Sequence, residues 1–397
     1  MEIPAYVTTL LKQLNIHGYE AYVVGGAVRS SLLHEPIHDY DLTTNALPEE
    51  ILQVFSNFHC IPTGMQHGTI TVVIDHHPIE ITTYRKDSTY EDHRHPDKVE
   101  FTSALKEDCE RRDFTINALC YHPDTGILDF FNGQKDLANK IIRCIGEPER
   151  RFEEDALRIL RAIRFASRLS FRIEPHTAEV LLSKKETLNY VSIERINEEF
   201  TGMLRGKGAS VCMEDYREVI EVFIPELKQL NEEAYKEMCG RLEEETTGRA
   251  DVRLALILYA LHDEDTSRHI LKRLKYANIF IHNITDLLRT ADEPFDTDIA
   301  FRLVLSHMKT DVDTFFAFHK ANDKGISMAN KRKQYASLTN DAYCWNLKDL
   351  AINGSDLMRL GYKGTAIGKK LNELLSDVIH ERIPNKKDEL LIAAHLN

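Results

Sequence analysis

Ala21-Tyr22-Val23-Val24-Gly25-Gly26-Ala27-Val28-Arg29, followed by His38-Asp39-Tyr40-Asp41-Leu42, is the stretch that decides how the first half folds. A β-prone run that ends in two glycines and gives way to Ala27-Val28-Arg29 predicts a strand, a tight turn and a helix. Such a turn lets backbone N–H groups come close to a triphosphate, and the helix N-terminus and Arg29 add positive potential. The second piece predicts a strand on which Asp39 and Asp41 share one face while Tyr40 and Leu42 take the other. Two carboxylates on one face suit a pair of Mg²⁺ ions, which prefer hard oxygen ligands. Roughly 3.5–4 Å apart, two such ions stabilise an attacking oxygen and a leaving pyrophosphate together. An Asp-x-Asp pair alone is common on solvated strands; the upstream glycine turn is what sets a phosphate cradle beside a metal site.

Two more strands follow at residues 69–75 and 78–84, with His76-His77-Pro78 as the expected turn between them. In the second, Ile79 and Ile81 alternate with Glu80 and Thr82, as a sheet with one buried face requires. Glu80 admits two readings of equal weight. It is a third acidic residue of the site, which would relieve the cost of an unpaired charge on an inner sheet face, or it faces solvent on the polar side of the hairpin.

From about Glu147 onward the apolar residues have helical spacing, as in Ala156, Leu157, Leu160, Ile163 and Phe165, and no strand-turn-strand pattern returns. The fold class is therefore α+β, a small mixed sheet first and an all-helical remainder. Breaks are expected at Gly206-Lys207-Gly208, near Thr246-Thr247-Gly248, around Asp292-Glu293-Pro294 and through residues 321–333. A chain of 397 residues exceeds one ordinary core, and at about 150 residues per domain it implies two to four domains.

The apolar fraction of 43% is that of a globular protein. No apolar run approaches the length of about 18 residues that a membrane span needs, and the N-terminus has no signal-peptide pattern, so a cytoplasmic protein is expected. Seven cysteines without a Cys-x-x-Cys pair suggest neither a disulfide framework nor a zinc site. A net charge of −13 argues against non-specific coating of nucleic acid, although a local basic groove is compatible with it.

Gly25-Gly26-Ala27-Val28-Arg29, the Asp39/Asp41 pair and Ile79-Glu80-Ile81 come before Arg111-Arg112-Asp113-Phe114-Thr115-Ile116-Asn117-Ala118 and Glu154-Asp155-Ala156-Leu157-Arg158. In this order and spacing, over roughly the first 210 residues, the chain resembles the bacterial-type tRNA nucleotidyltransferases of class II, the CCA-adding enzymes. The resemblance implies a head of DNA-polymerase-β type over residues 1–145, a helical neck over 146–208, a body over 209–320 and a tRNA-binding tail over 321–397. It also implies Mg²⁺ as cofactor and tRNA, CTP and ATP as partners, and it leaves a homodimer open. Carried over by position, Asp39 and Asp41 are metal ligands and Glu80 completes the catalytic carboxylates. Gly25, Gly26, Arg29, Arg112, Asp113, Asn117, Glu154, Asp155, Arg158, Arg161 and Arg164 are nucleotide-binding. Many relatives have Gly where this chain has His34.

If residues 153–168 form one helix, Asp155, Arg158 and Arg161 line up on one face, with Arg164 drifting round. Asp155 offers acceptors and Arg158 donors. Cytosine and adenine both present an amino donor beside a ring-nitrogen acceptor, whereas uracil and guanine present a carbonyl beside an N–H. The pair therefore matches C and A and mismatches U and G. A site that leaves buried polar groups unpaired can reject a wrong partner by about four to five powers of ten. The plainer reading is a solvated helix laced with ion pairs worth about 0.2–0.5 kcal/mol each; the upstream motifs tip the balance to the pocket.

Other features carry less. His262-Asp263 lacks the partners of a phosphohydrolase and is read as a helix end. Lys331-Arg332-Lys333 and Lys369-Lys370 are candidate phosphate contacts or solvated faces, and residues 361–368 suggest a glycine-bearing loop before a helix near Lys369. The polar segment 85–98 is expected to be a long surface loop, and the resemblance implies that it helps the pocket change from CTP to ATP. The nearest rivals are a bacterial poly(A) polymerase and an enzyme that adds only CC or only A. From a different class, a non-catalytic RNA-binding protein on a degenerate transferase fold would have no need of the carboxylate pair.

Overall fold

In the computed structural model, the described residues are 1–87, 99–322, 327–340 and 343–395. The chain divides into two compact units, Met1–Gln229 and Leu230–Asn397. The junction expected after residue 145 lies inside the first of them.

The first unit is built on a seven-stranded mixed sheet. Its strands are β1 (Ala21–Val24), β2 (Asp41–Thr44), β3 (His59–Ile61), β4 (Thr69–Ile74) and β5 (His77–Thr83), with β8 (Cys120–His122) and β9 (Gly126–Leu128). The order is β3-β4-β5-β2-β1-β8-β9. A separate two-stranded ribbon pairs β6 (Arg85–Asp87) with β7 (Val99–Phe101). These two strands flank residues 88–98, so most of the loop expected at 85–98 falls outside the described residues.

Alternation decides which face is wet. Leu42, Ile79 and Ile81 are 0–3% exposed and pack with Val7, Leu10, Leu11 and Leu14 of the N-terminal helix Ala5–Ile16. Each such side chain contributes roughly 1.5–3 kcal/mol when fully buried. Asp41 and Glu80 belong to the opposite set and are exposed. The turn between β4 and β5 is Asp75-His76, both with positive φ (48° and 65°), rather than His76-His77-Pro78. That is the geometry a two-residue hairpin demands. His77 and Pro78 instead begin β5, opposite Ile74 and Val73, and a proline is tolerated near a strand's start.

Among the described residues the remainder is helical with one exception: Arg172–Ile173 pairs in parallel with Ile141–Ile142. The expected single helix over residues 153–168 is two helices, Pro148–Glu154 and Leu157–Leu169, because Asp155 is extended (φ −145°, ψ 103°). The second helix stops at Ser170 (φ 53°). Its end meets the expected break at 206–208, where a Cβ on Gly206 would lie 2.2 Å from Ser167 Oγ, so only glycine fits. His34 takes a left-handed φ of 56°, a conformation that costs an L-residue about 1–2 kcal/mol.

In the second unit, helices Glu232–Glu244, Ala250–Tyr259, Asn278–Thr290 and Asp298–His307 are separated at the expected breaks near residues 246–248 and 292–294. The segment 321–333 is no continuous break, because helix Met328–Asn340 begins within it. Residues 361–368 are likewise not all loop: helix Thr365–Ile379 starts before Gly368. Asp263 is an N-cap, accepting from the N–H groups of Asp265 and Thr266, so His262-Asp263 is a helix junction. Among the described residues no helix is long and apolar enough to cross a membrane.

Candidate active site

Register brings the pieces together. Val24, the last residue of β1, lies opposite Asp41, the first of β2. Asp41 in turn sits beside Glu80 on the parallel strand β5. Tyr40 and Leu42 are buried, while Asp39 and Asp41 are exposed, so the face assignment is as expected, although Asp39 precedes the strand rather than lying in it. Glu80 lies on the open face, not on an inner one; the desolvation argument for it falls away, and its place in the site rests on register. The Asp41 carboxyl is pushed above the usual carboxylate range, first by desolvation and then by Glu80 and Asp39, against the pull of Arg112.

Immediately after Val24, Gly25 adopts φ 66°, ψ −119°, and a Cβ there would lie 3.4 Å from Arg112 Nη1. The positive φ is what calls for glycine, since the space there would accept a Cβ at ordinary contact distance. The Gly25 N–H donates to the Leu119 carbonyl at 3.2 Å and is occupied. The following helix, Gly26–Leu32, has only seven residues, so its dipole is short and the nearby guanidinium groups supply most of the positive potential.

Those groups line a cleft of about 530 Å³. Nine of its lining residues are arginine and three are aspartate, which makes the cleft cationic within a chain of net charge −13. Gly25, Gly26, Arg29, Asp41, Arg112, Asp113, Asn117, Asp155, Arg158, Arg161 and Arg164 all border it. Asp39, Glu80 and Glu154 do not. Glu154 is buried, accepting from Arg158 and Arg151 at 2.7 Å each and from Arg150 at 2.9 Å, so its task is to hold arginines.

The Asp155–Arg158 pair imagined on one helix face is crossed over instead. Asp155 pairs with Arg195 at 2.9 Å, and Arg158 with Glu154 and the Arg111 carbonyl at 3.0 Å. Asp113 receives Arg161 in a fork at 2.6 and 2.8 Å and Asn117 Nδ2 at 2.9 Å. Burial alone would raise its pKa, but Arg161 and these hydrogen bonds bring it down to about 2. Asn117 passes the network on by accepting from Arg29. Burial lowers the Arg29 pKa to about 10, which leaves it charged at neutral pH. Arg29, Arg161 and Arg164 surround the Phe165 ring at 4.6–5.5 Å, a cation–π arrangement that spaces like charges around an apolar plate.

Comparison with known proteins places this geometry. A family model described as the poly A polymerase head domain matches residues 21–143. Another, described as a putative tRNA nucleotidyltransferase domain 2, matches residues 246–394. A third, described as a probable RNA and SrmB-binding site of polymerase A, matches residues 170–230. The CCA-adding enzyme of Lactobacillus helveticus is 35% identical over 96% of this chain and 94% of its own length. That of Enterococcus faecalis is 34% identical over 96% and 93%. The chain belongs to the CCA-adding enzymes. The Bacillus stearothermophilus CCA-adding enzyme, solved in complex with CTP, superposes with a TM-score of 0.82 at 29% identity, covering 99% of this chain and 97% of that one. The Thermotoga maritima CCA-adding enzyme, complexed with tRNA, has a TM-score of 0.67 at 22% identity over 99% and 95%, a likeness of fold.

CCA-adding enzymes are tRNA nucleotidyltransferases, and this family implies use of a divalent metal. Within that family frame, sequence reasoning missed several residues of the cleft. Asp108, fully buried, takes Arg111 at 2.7 Å and Arg112 at 3.3 Å and so aims both; its carboxyl is lowered because these arginines outweigh burial. Arg85, Arg111, Arg168 and Arg195 border the cleft itself, whereas Asp108 stands behind it. A signal existed for Arg168, one turn beyond Arg164 on the same helix, and none for Arg195, which arrives from helix Ile193–Leu204. Late in the chain, Lys331 is no free phosphate contact: it donates to the carbonyls of Phe295 and Asp296 at 2.5 and 3.0 Å, and Arg332 pairs with Asp313. Lys370 is buried, 3.5 Å from Glu373.

Proposed function

We infer that this chain adds C, C and A in turn to the 3′ end of tRNA, from CTP and ATP and without a nucleic-acid template, releasing pyrophosphate. The observation that carries the reading is one cleft bordered by the Gly25 turn, the Asp41 carboxylate, an acceptor (Asp155) and a donor (Arg158). Asp39, Asp41 and Glu80 suit Mg²⁺ in their chemistry: hard oxygen donors, exposed, with no ion-pair partner among the described residues. When bound there, Mg²⁺ would supply charge stabilisation to the attacking 3′-oxygen and the leaving pyrophosphate.

The chain's own residues do the rest. Arg29, Arg112 and Arg161 set positive charge where a triphosphate would lie. Asp155 accepts from the amino group of C or A and Arg158 donates to the ring nitrogen beside it, so selectivity needs no template base. In this reading residues 1–145 form the head, 146–208 the neck, and 209–320 and 321–397 the body and tail that hold tRNA in the cytoplasm.

The test uses tRNA transcripts lacking CCA, ending in CC, or complete, each incubated with single nucleotides. C should be added to the first, A to the second and nothing to the third. Unlimited adenylation would favour a poly(A) polymerase, addition of C alone or A alone a partial enzyme, and no addition a binding protein.

A further inference from the structure

The groups that face the base are each held by a residue of opposite charge, and for Asp155 that residue comes from a different element. Helix Ile193–Leu204 carries Arg195 and Glu199 one turn apart. Glu199 takes Arg164 at 2.6 Å. Arg195 reaches across to Asp155, with Nη2 at 2.9 Å from Oδ2 and Nη1 at 3.4 Å from Oδ1. Oδ1 also accepts the Leu157 N–H at 3.1 Å.

Asp155 lies at the break between two helices, in an extended conformation, so no helix wall limits its side chain. Among the described residues, only these contacts aim it. A carboxylate oxygen has two lone-pair directions. Arg195 and Leu157 engage both on Oδ1, whereas Oδ2 meets Arg195 alone and keeps one direction open. We propose that Arg195 is the positioning residue for base selection: its guanidinium fork fixes Asp155 so that the free direction of Oδ2 accepts from the exocyclic amino group of cytosine or adenine. A uracil or guanine would bring a carbonyl to the same point and meet a fixed negative charge. Arg195 touches no base in this arrangement. Its effect is transmitted through Asp155, and a lysine, lacking the planar fork, would hold the carboxylate at one point only.

This rests on the reading that Asp155 contacts the base, and the experiment separates the two. On tRNA lacking CCA, kcat/KM is measured for CTP and for UTP with wild type, Arg195→Ala, Arg195→Lys, Asp155→Ala and the double variant, alongside their thermal midpoints. In Arg195→Ala the CTP-to-UTP ratio should fall on the order of 10- to 100-fold, the penalty of misplacing a group by about an ångström. Arg195→Lys should fall less, and the double variant should lose no more than Asp155→Ala, since coupled residues are not additive. If Arg195→Ala slows both nucleotides equally while Asp155→Ala abolishes the ratio, Arg195 is a structural tie and the proposal is overturned. If Asp155→Ala itself retains the ratio, the base-contact reading fails with it. Should Arg195→Ala not fold, the same two outcomes are read from Arg195→Lys.

Discussion

The open face of the sheet and the wall of the cleft handle charge in opposite ways. Asp39, Asp41 and Glu80 are exposed, crowd one another and have no ion-pair partner among the described residues. Across the cleft, Arg158 has Glu154, Arg161 has Asp113 and Arg164 has Glu199. The groups that, in the proposed reading, would hold a cation are left uncompensated, and a bound ion would relieve the electrostatic strain between them. The groups that, in the proposed reading, would select a base are fixed beforehand, because a donor that must first find its direction discriminates poorly. The contrast lets one class be broken without the other.

The largest effect should come from Asp41→Asn, which keeps the shape and removes one charge. Ion-based stabilisation is worth several kcal/mol, so nucleotide addition should fall on the order of a thousandfold or more. Stability without metal should stay level or rise, because a repulsive neighbour of Glu80 and Asp39 is gone. Turnover within tenfold of wild type in excess Mg²⁺ would sink the assignment of the carboxylates.

Next come Asp155→Ala and Arg158→Ala, both of which should relax discrimination against UTP and GTP. They should differ in stability. Arg158 is 8% exposed and shares Glu154 with Arg151, so its removal should cost about 2–3 kcal/mol in urea unfolding. The Asp155–Arg195 pair, with side chains 18% and 26% exposed, should cost about 1 kcal/mol or less. Equal losses in the two variants would mean that the cleft wall is not graded in this way.

How far the sequence revealed this arrangement follows from how local each feature is. Strands β1, β2, β4 and β5 and the shared face of Asp39 and Asp41 follow from alternation over a few residues, and they came through, whereas the three-residue strands β3, β8 and β9 are too short to alternate visibly. The extended conformation of Asp155 did not, because the run Glu154-Asp155-Ala156-Leu157 has no Gly or Pro to mark a break; at the break Asp155 accepts the Leu157 N–H and meets Arg195, a partner that no local pattern announces. Glu80 was ambiguous because one strand's alternation does not say which face is covered. That depended on helix Ala5–Ile16, far away in sequence, packing against Ile79 and Ile81. Lys331 looked like a free cation because nothing in its neighbourhood of sequence announces the carbonyls of Phe295 and Asp296 that it meets.

The smallest effect on nucleotide addition tests whether the cleft wall is organised before any substrate arrives. Asp113 is buried, and its pKa is lowered from an ordinary 3.8 to about 2 by Arg161 and the Asn117 and Phe114 donors. Because the folded value is below the unfolded one, the stabilisation is complete above about pH 4 and is lost as pH falls through about 2. Close to two units at 1.36 kcal/mol each gives about 2 kcal/mol. Asp113→Asn should therefore lower neutral-pH stability by about that amount and remove the matching part of the decline between pH 4 and 2, with little change above pH 5 in the slope of stability against pH. Urea midpoints taken across this range would show it. Arg161 would also be released to lean on Glu199, already 3.8 Å away, so nucleotide addition should weaken as well. Parallel pH profiles for the variant and wild type would mean that Arg161 and Asp113 pair only weakly in the empty cleft, and that the donors of this wall take their direction from the nucleotide rather than giving it.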